Sequence, residues 1–306
     1  MIVTHPASTD SADVTLKVPL RSLLELDAAP QDVFHGRSRA GASAKPFGGL
    51  YAGQATAAAG RTVAGDRFLH SLHIVFLRAG AVGASTEYTV ERLRDGRGFS
   101  SRRVVASQDG KPILHADASF HTGEDGYEHT PEPPAVPGPD DLPPARSWFT
   151  AAGGDLDAWY DVYIGSHPVD IRFVGEPPPL SARHGPLPGG LQAWIRSDDP
   201  LGADQAVQTG ALTYASDLFL LASALVPHGQ TFGNGNVIGA SLDHGVWFHR
   251  PVEADEWLLY DNSSPWAGSG RSLTRASVFD RSGRLVASVA QEGLLRRTRL
   301  ATPHQR

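Results

Sequence analysis

The sequence predicts an α+β protein in which one unit, a long buried helix wrapped by a curved antiparallel sheet, occurs twice in a single chain. Three observations carry this. First, the stretch from His121 to Pro144 holds seven prolines and six acidic residues. Proline removes amide donors and interrupts both helix and sheet, and the acids hold the segment in water. The stretch separates an N-terminal unit, 15–121, from a C-terminal unit, 147–297, with 122–146 as a linker. Second, each unit reads as a helix candidate of small apolar residues followed by four strand-like runs. Third, turn signals recur at a fixed distance. Gly110 and Gly283 are 173 positions apart, Arg78 and Arg250 are 172 apart, and Phe-Leu-Arg (76–78) aligns with Phe-His-Arg (248–250). A duplicated helix-plus-meander unit is the economical explanation.

In the first unit the helix is expected over Gly48–Val63, around Tyr-Ala-Gly-Gln-Ala-Thr-Ala-Ala-Ala (51–59). Strands are expected at His70–Arg78, Ser85–Leu93, Phe99–Gln108 and Pro112–His121. Asp95-Gly96 and Asp109-Gly110 between them are dipeptides favoured by tight hairpins. In the second unit a helix over Ala211–Val226 precedes strands at Val237–His249, Glu256–Asn262, Ser269–Asp280 and Arg284–Gly293. Ser282-Gly283 falls where Asp109-Gly110 fell. A Pro/Gly-rich patch, Glu176–Gly190, reads as a long loop. Both helices are apolar on nearly every side, the pattern of a helix enclosed by other structure.

A chain of 306 residues buries a full core without help from metal or disulfide. Its 41% hydrophobic and 20% charged residues are those of an ordinary globular protein. There is no cysteine, which excludes disulfides, thiolate nucleophiles and Cys-based metal sites. A net charge of −6 provides no general attraction to nucleic acid or anionic lipid. Met1–Asp13 is polar and mixed, and the longest apolar run, Leu218–Val226, is too short to span a bilayer. The terminal His-Gln-Arg is not a peroxisomal address. A soluble, cytoplasmic protein is expected.

Two residues stand out chemically. Asp217 is the single formal charge between Gly210 and Pro227. A carboxylate within an apolar helix must be paired or hydrogen-bonded, and partial desolvation raises its pKa toward that of a useful general base. Gln291 shares a strand face with Leu285, Ala287 and Val289, where the first unit has Leu114, Ala116 and Ala118. An amide thus replaces Ala118 on a buried face, and it needs partners. Several familiar motifs are missing. Gly233-Asn-Gly-Asn lacks the third glycine of a dinucleotide fingerprint and precedes a strand. Gly110-Lys111 is followed by proline, and neither Gly-x-Ser-x-Gly nor His-Glu-x-x-His occurs. His70 with His73, or Asp243 with His244, suggest a metal or a dyad only at first sight: adjacent strand residues point to opposite faces.

The motifs Phe-Gly-Gly (47–49), Leu-Arg-Asp-Gly-Arg-Gly-Phe-Ser (93–100), Tyr-Ala-Ser-Asp (214–217), Leu-Asp-His-Gly-Val-Trp-Phe-His-Arg-Pro (242–251), Glu-Trp-Leu-Leu-Tyr (256–260) and Val-Ala-Gln-Glu-Gly (289–293) resemble the acyl-CoA thioesterase II family over about residues 20–297. The resemblance implies a double hotdog fold, two helix-in-sheet units in one chain. It implies a hydrolytic site in which an Asp, a Thr or Ser and a Gln hold and activate a water. Carried over motif by motif, these are Asp217, Ser241 and Gln291. Leu50 and Ala79 depart from the family's usual Gln and Pro. Matching Tyr51-Ala-Gly-Gln54 to Tyr214-Ala-Ser-Asp217 sets Gln54 against Asp217, which leaves one competent set per chain. The implied reaction converts fatty acyl-CoA and water to fatty acid and CoA, without cofactor or metal. The expected partners are the acyl-CoA substrate and further copies of the chain, with no nucleic acid and no membrane. Arg102 or Arg103 are candidates for the CoA phosphates. Two alternatives stay open: a noncatalytic acyl-CoA or lipid-binding protein, and a hydratase of the same fold, which needs an Asp/His pair facing the substrate.

Overall fold

The computed structural model describes residues 17–37 and 47–298; residues 15 and 16 of the expected first unit lie outside them. A short helix, Leu20–Leu24 (α1), and a hairpin, Asp27–Ala29 (β1) and Val33–Arg37 (β2), precede the first long helix, Gly48–Gly60 (α2). The meander follows as Phe68–Phe76 (β3), Ser85–Asp95 (β4), Phe99–Gln108 (β5) and Lys111–His121 (β6). After the linker come Ala145–Ala152 (α3), Asp155–Tyr160 (α4), Val169–Phe173 (β7), Pro178–Ser181 (α5), Leu191–Ser197 (β8), the second long helix Gln205–Ser216 (α6) and the short Leu220–Ser223 (α7). The second meander is Val237–Ser241 (β9), Asp243–Phe248 (β10), Leu258–Gly268 (β11), Arg271–Asp280 (β12) and Leu285–Arg297 (β13).

The strands form one antiparallel sheet in the order β1-β2-β4-β5-β6-β3-β10-β13-β12-β11-β8-β7, with β9 paired to β13. Read from either edge the order is the same, each strand of one unit answering its counterpart in the other. The units join where β3 pairs with β10, and there His73 faces Gly245. These positions are 172 apart, the distance at which Arg78 and Arg250 recur. A residue facing its own counterpart marks an approximate twofold axis through the β3–β10 seam. The sheet buries one face, with Leu72, Ile74, Val104 and Ala116 from the first unit and Val246, Val278, Ala287 and Val289 from the second among its buried side chains. This is the double hotdog expected from the sequence.

The two long helices lie antiparallel inside the sheet and touch along small residues. A Cβ on Gly53 would stand 2.6 Å from the Gly210 carbonyl oxygen, and one on Gly210 would stand 2.9 Å from that of Gly53. One turn on, Thr56 and Thr213 meet at 3.3 Å through their hydroxyls. Both pairs are 157 positions apart, so each residue meets its own counterpart and the twofold passes between the helices. The difference between 157 and 172 is the longer connection after α6, which holds α7 and the turns before β9. This corrects the match of Gln54 to Asp217. At the helix spacing the counterpart of Asp217 is Gly60. Gln54 is a structural amide: its Nε2 donates to the Leu23 carbonyl at 2.6 Å, and its Oε1 accepts from the Tyr88 hydroxyl at 2.6 Å.

Other boundaries differ from the sequence reading for local reasons. The second helix starts at Gln205 because Asp204 caps it, its carboxylate accepting the Ala206 N–H at 2.9 Å. It stops at Ser216 because Asp217 is its C-cap and Phe219 leaves helical geometry. The expected strand Val237–His249 is broken at Leu242, whose N–H bonds Glu292 while its carbonyl accepts from Phe76. β1, β2, β7 and β8 are short strands that the alternation did not reveal. Gln205–His228 is long and apolar enough by composition to cross a membrane, with mean hydropathy 1.4, but 78% of that window is buried inside the protein. It is the segmented core helix. The linker is not free. Val136 and Leu142 pack on Trp194, Trp257, Leu259 and Phe279, Trp194 Nε1 donates to the Pro137 carbonyl at 3.0 Å, and Arg281 pairs with Asp140 at 2.6 Å. The linker is therefore held against an apolar patch on the second unit by Val136 and Leu142, while most of its prolines and Glu124, Asp125 and Glu128 remain exposed.

The helix crossing is a point of predicted fragility. Gly53→Ala is expected to lower unfolding stability by about 1–3 kcal/mol, the usual effect of overpacking. Gly65→Ala, where an added Cβ meets nothing within 4 Å, is expected to leave it unchanged. Urea unfolding of the two variants side by side checks the contrast.

Candidate active site

Asp217, Ser241 and Gln291 come from three different elements: the C-terminal cap of α6, the end of β9 and the middle of β13. The structure brings them together. Ser241 Oγ donates to Asp217 Oδ1 at 3.1 Å, and Gln291 Nε2 donates to Ser241 Oγ at 2.7 Å. Gln291 is 1% exposed, whereas Asp217 and Ser241 keep some accessible area. The amide is thus the fixed, interior member, and the carboxylate and hydroxyl are the members that reach solvent or substrate.

The surroundings set the charge on Asp217. Burial pushes its carboxyl above the ordinary carboxylate range. His244 nearby, the hydrogen bonds from Ser241 and Gln291, and the backbone N–H of Gly49 all act in the opposite direction. The Gly49 contact explains the Phe-Gly-Gly motif. These residues open α2, and its N-terminal dipole favours an anion. A Cβ on Gly48 would stand 3.0 Å from Asp217 Oδ2, and one on Gly49 would run into the Phe47 ring at 2.5 Å and the Tyr214 carbonyl at 2.7 Å. Only glycines let the start of one helix close over the end of the other. Phe47 stacks edge-on against His167 and Tyr214, and the Tyr214 hydroxyl lies 2.6 Å from His167 Nδ1. Burial lowers the pKa of His167 to about 4, which keeps the ring neutral and able to accept the tyrosine proton.

The sequence reading missed His244. It held that Asp243 and His244 diverge, and they do: Asp243 Oδ1 accepts the Glu292 N–H at 2.7 Å on one side, while His244 turns inward and is 1% exposed. Its Nδ1 lies 2.6 Å from Gln291 Oε1, and its Nε2 lies 2.8 Å from Ser216 Oγ. Gln291 donates through Nε2 to Ser241, so its Oε1 faces His244 and accepts from Nδ1–H. His244 therefore fixes which way the amide points. Ser241 and His244, three residues apart, reach the same Gln291 only because the chain is broken at Leu242; an unbroken strand would put them on opposite faces. The available signal was the amide itself, since a buried Gln needs a partner at each end.

The twofold shows what the first unit lacks. The counterparts of Asp217, Ser241 and Gln291 are Gly60, Leu69 and Ala118, none with a polar side chain. Arg102, a sequence candidate for CoA phosphate, is 1% exposed and spends its donors on Thr62, the Arg94 and Ser101 carbonyls and Asp95. Arg103 pairs with Asp117 at 3.0 Å. His70 and His73 bond Ser119 and Ser71 respectively. Among the described residues no three His, Asp or Glu side chains converge as a metal site.

A double hotdog with one acid–hydroxyl–amide cluster per chain defines a class of single-chain hotdog hydrolases. Comparison with known proteins narrows this. A profile of acyl-CoA thioesterases matches residues 169–294, and one of the acyl-CoA thioesterase N-terminal domain matches 37–121. Human acyl-coenzyme A thioesterase 8 is 35% identical over 288 residues, covering 91% of this chain and 89% of that protein. Acyl-CoA thioesterase 2 of Haemophilus influenzae is 32% identical over 275 residues, covering 90% and 96%. The crystal structure of an acyl-CoA thioesterase II from Mycobacterium marinum superimposes with a TM-score of 0.73 at 39% identity, covering 93% of this chain and 99% of that one. The chain belongs to the acyl-CoA thioesterase II family.

The amide lock yields a prediction. His244→Ala is expected to lower kcat for thioester hydrolysis by about 10- to 100-fold through misplacement of Gln291, with little change in KM. His244→Asn, which restores an N–H near the position of Nδ1, is expected to recover part of the loss. Steady-state kinetics of the two variants separate this from a general loss of packing, which would affect both alike.

Proposed function

We propose that the protein hydrolyses fatty acyl-CoA by direct attack of a water on the thioester carbonyl, with Asp217 as general base and Ser241 and Gln291 positioning the water. The observation that carries this reading is the hydrogen-bonded line Gln291–Ser241–Asp217 at 2.7 and 3.1 Å. It ends on a carboxylate whose proton affinity burial has raised. Ser241 is tied to Asp217, and among the described residues no histidine hydrogen-bonds it, so it lacks the imidazole base that activates a serine nucleophile.

In this mechanism Asp217 takes a proton from the water as its oxygen bonds to the carbonyl carbon. The resulting oxyanion forms near the start of α2, where the helix dipole favours negative charge. Collapse breaks the carbon–sulfur bond, and the proton held by Asp217 passes to the departing thiolate. Fatty acid and CoA leave, and Asp217 is again ionised. Holding the water between carboxylate, hydroxyl and amide removes part of the entropic barrier to attack. The same reading places the protein in the cytoplasm, as an oligomer of identical chains that needs neither cofactor nor metal.

Asp217→Asn is expected to lower kcat for decanoyl-CoA by about 100-fold or more while the fold survives, since loss of a general base typically removes 10²–10⁴. Full activity in that variant overturns the mechanism. The pH profile gives a second check. Activity requires ionised Asp217, so it falls as pH drops through the pKa of that group. The Ser241 hydrogen bond opposes the upward push of burial, so Ser241→Ala raises the pKa further and moves the acid limb of kcat to higher pH. A limb that stays in place, or moves down, counts against Asp217 as the base.

A further inference from the structure

The twofold that sets Gly60 against Asp217 and Leu69 against Ser241 also sets Phe120 against Gly293: Leu69 pairs with Phe120 as Ser241 pairs with Gly293. At this place, where the end of α2 meets the start of α6, the protein is not solid. Gly60, Leu69 and Phe120 line a cavity of about 290 Å³, together with Val63, at the lower end of the range for small-molecule pockets. The lining is mixed, but its uncharged polar side chains are already bonded to backbone, Gln205 to Val252 and Thr209 to the Gln205 carbonyl.

The rim has a different character. Arg67 and Arg250 both line the cavity. Arg67 Nη2 is held by the Gly96 carbonyl at 2.8 Å, but its Nη1 is buried without a hydrogen-bond partner. A buried, unpaired guanidinium N–H is costly unless an acceptor completes it. Arg250 is exposed, and it is the arginine of Phe-His-Arg (248–250), the recurrence of Phe-Leu-Arg (76–78). The one carboxylate on the wall, Asp204, is engaged in capping α6. A cavity with an apolar stretch along Gly60, Val63, Leu69 and Phe120 and two arginines in its lining suits an alkyl chain that ends in an anion.

We propose that the junction of the two units, where the end of α2 meets the start of α6, holds a second, noncatalytic site for a fatty carboxylate, with the chain between Gly60, Val63, Leu69 and Phe120 and the carboxylate on Arg67 and Arg250. The site lies at the twofold counterpart of the hydrolytic cluster but carries none of its reactive groups, so it binds and does not turn over. Its ligand is the chemical class of the product proposed above, and the cavity and its arginines select that class whether or not the chain hydrolyses acyl-CoA.

The test is the number of decanoate molecules bound per chain, measured by equilibrium dialysis at saturation, in the wild type, in Val63→Trp, which fills the chamber, and in Arg250→Glu, which reverses the rim charge. Each variant is expected to bind one decanoate fewer per chain than the wild type, with kcat for decanoyl-CoA within about twofold of the wild type. An undiminished count in either folded variant overturns the proposal, and if Val63→Trp does not fold, Arg250→Glu decides alone. Hydrolysis by the wild type is measured separately, so loss of the thioesterase reading and loss of the second site are distinct results.

Discussion

The close antiparallel contact of α2 with α6 organises the molecule. Because Gly53 and Gly210 let the backbones meet, the start of each helix reaches the end of the other. At one end this places the first amides of α2 over Asp217, the C-cap of α6. A carboxylate that would be prohibitively costly in an apolar interior is there met by a backbone N–H, a helix dipole, a hydroxyl and a neighbouring amide. At the other end the same contact brings Gly60 near Ala206, with no side chain at Gly60 to answer Asp217. The sheet follows from this pairing, since a continuous wall of strands covers two helices that present apolar surface on every side.

Symmetry is kept in the frame and broken in the contents. The meander strands repeat at 172 or 173 positions and the two long helices at 157, and the residues making up most of the difference lie between α6 and β9. That longer connection follows Asp217 directly, and the break at Leu242 beyond it aims Ser241 and His244 at one side chain. The chemistry sits in the unit whose spacing departs from the shorter one. The first unit supplies the glycine-led helix end that completes the site, so neither unit holds a whole site by itself.

Much of this was legible in the sequence because it depends on composition and period. The repeat, the eight meander runs and the burial of both helices follow from turn dipeptides, alternation and the lack of charge. Asp217 and Gln291 stood out as polar groups in apolar surroundings, and Ser241 came only through the family resemblance. What stayed hidden depends on three-dimensional spacing. Gln54 matched Asp217 by local motif, yet the helix crossing sets Asp217 against Gly60. His244 was set aside because it diverges from Asp243, and it does; its meeting with Ser241 at Gln291 depends on the break at Leu242, which alternation does not reveal. Arg102 read as a surface cation because one residue of a strand does not announce that Thr62 and Asp95 enclose it.

The central claim is that water, not a side chain, attacks the thioester. Single-turnover hydrolysis of decanoyl-CoA in heavy-oxygen water, quenched on the timescale of one turnover and read by intact-protein and fatty-acid mass, tests it most directly. The account predicts no added mass on the protein, release of CoA without a burst, and heavy oxygen in the fatty acid from the first turnover onward. A stoichiometric burst of CoA with acyl mass on the Ser241 peptide, or heavy oxygen appearing in Asp217 instead of the first fatty acid released, would contradict it.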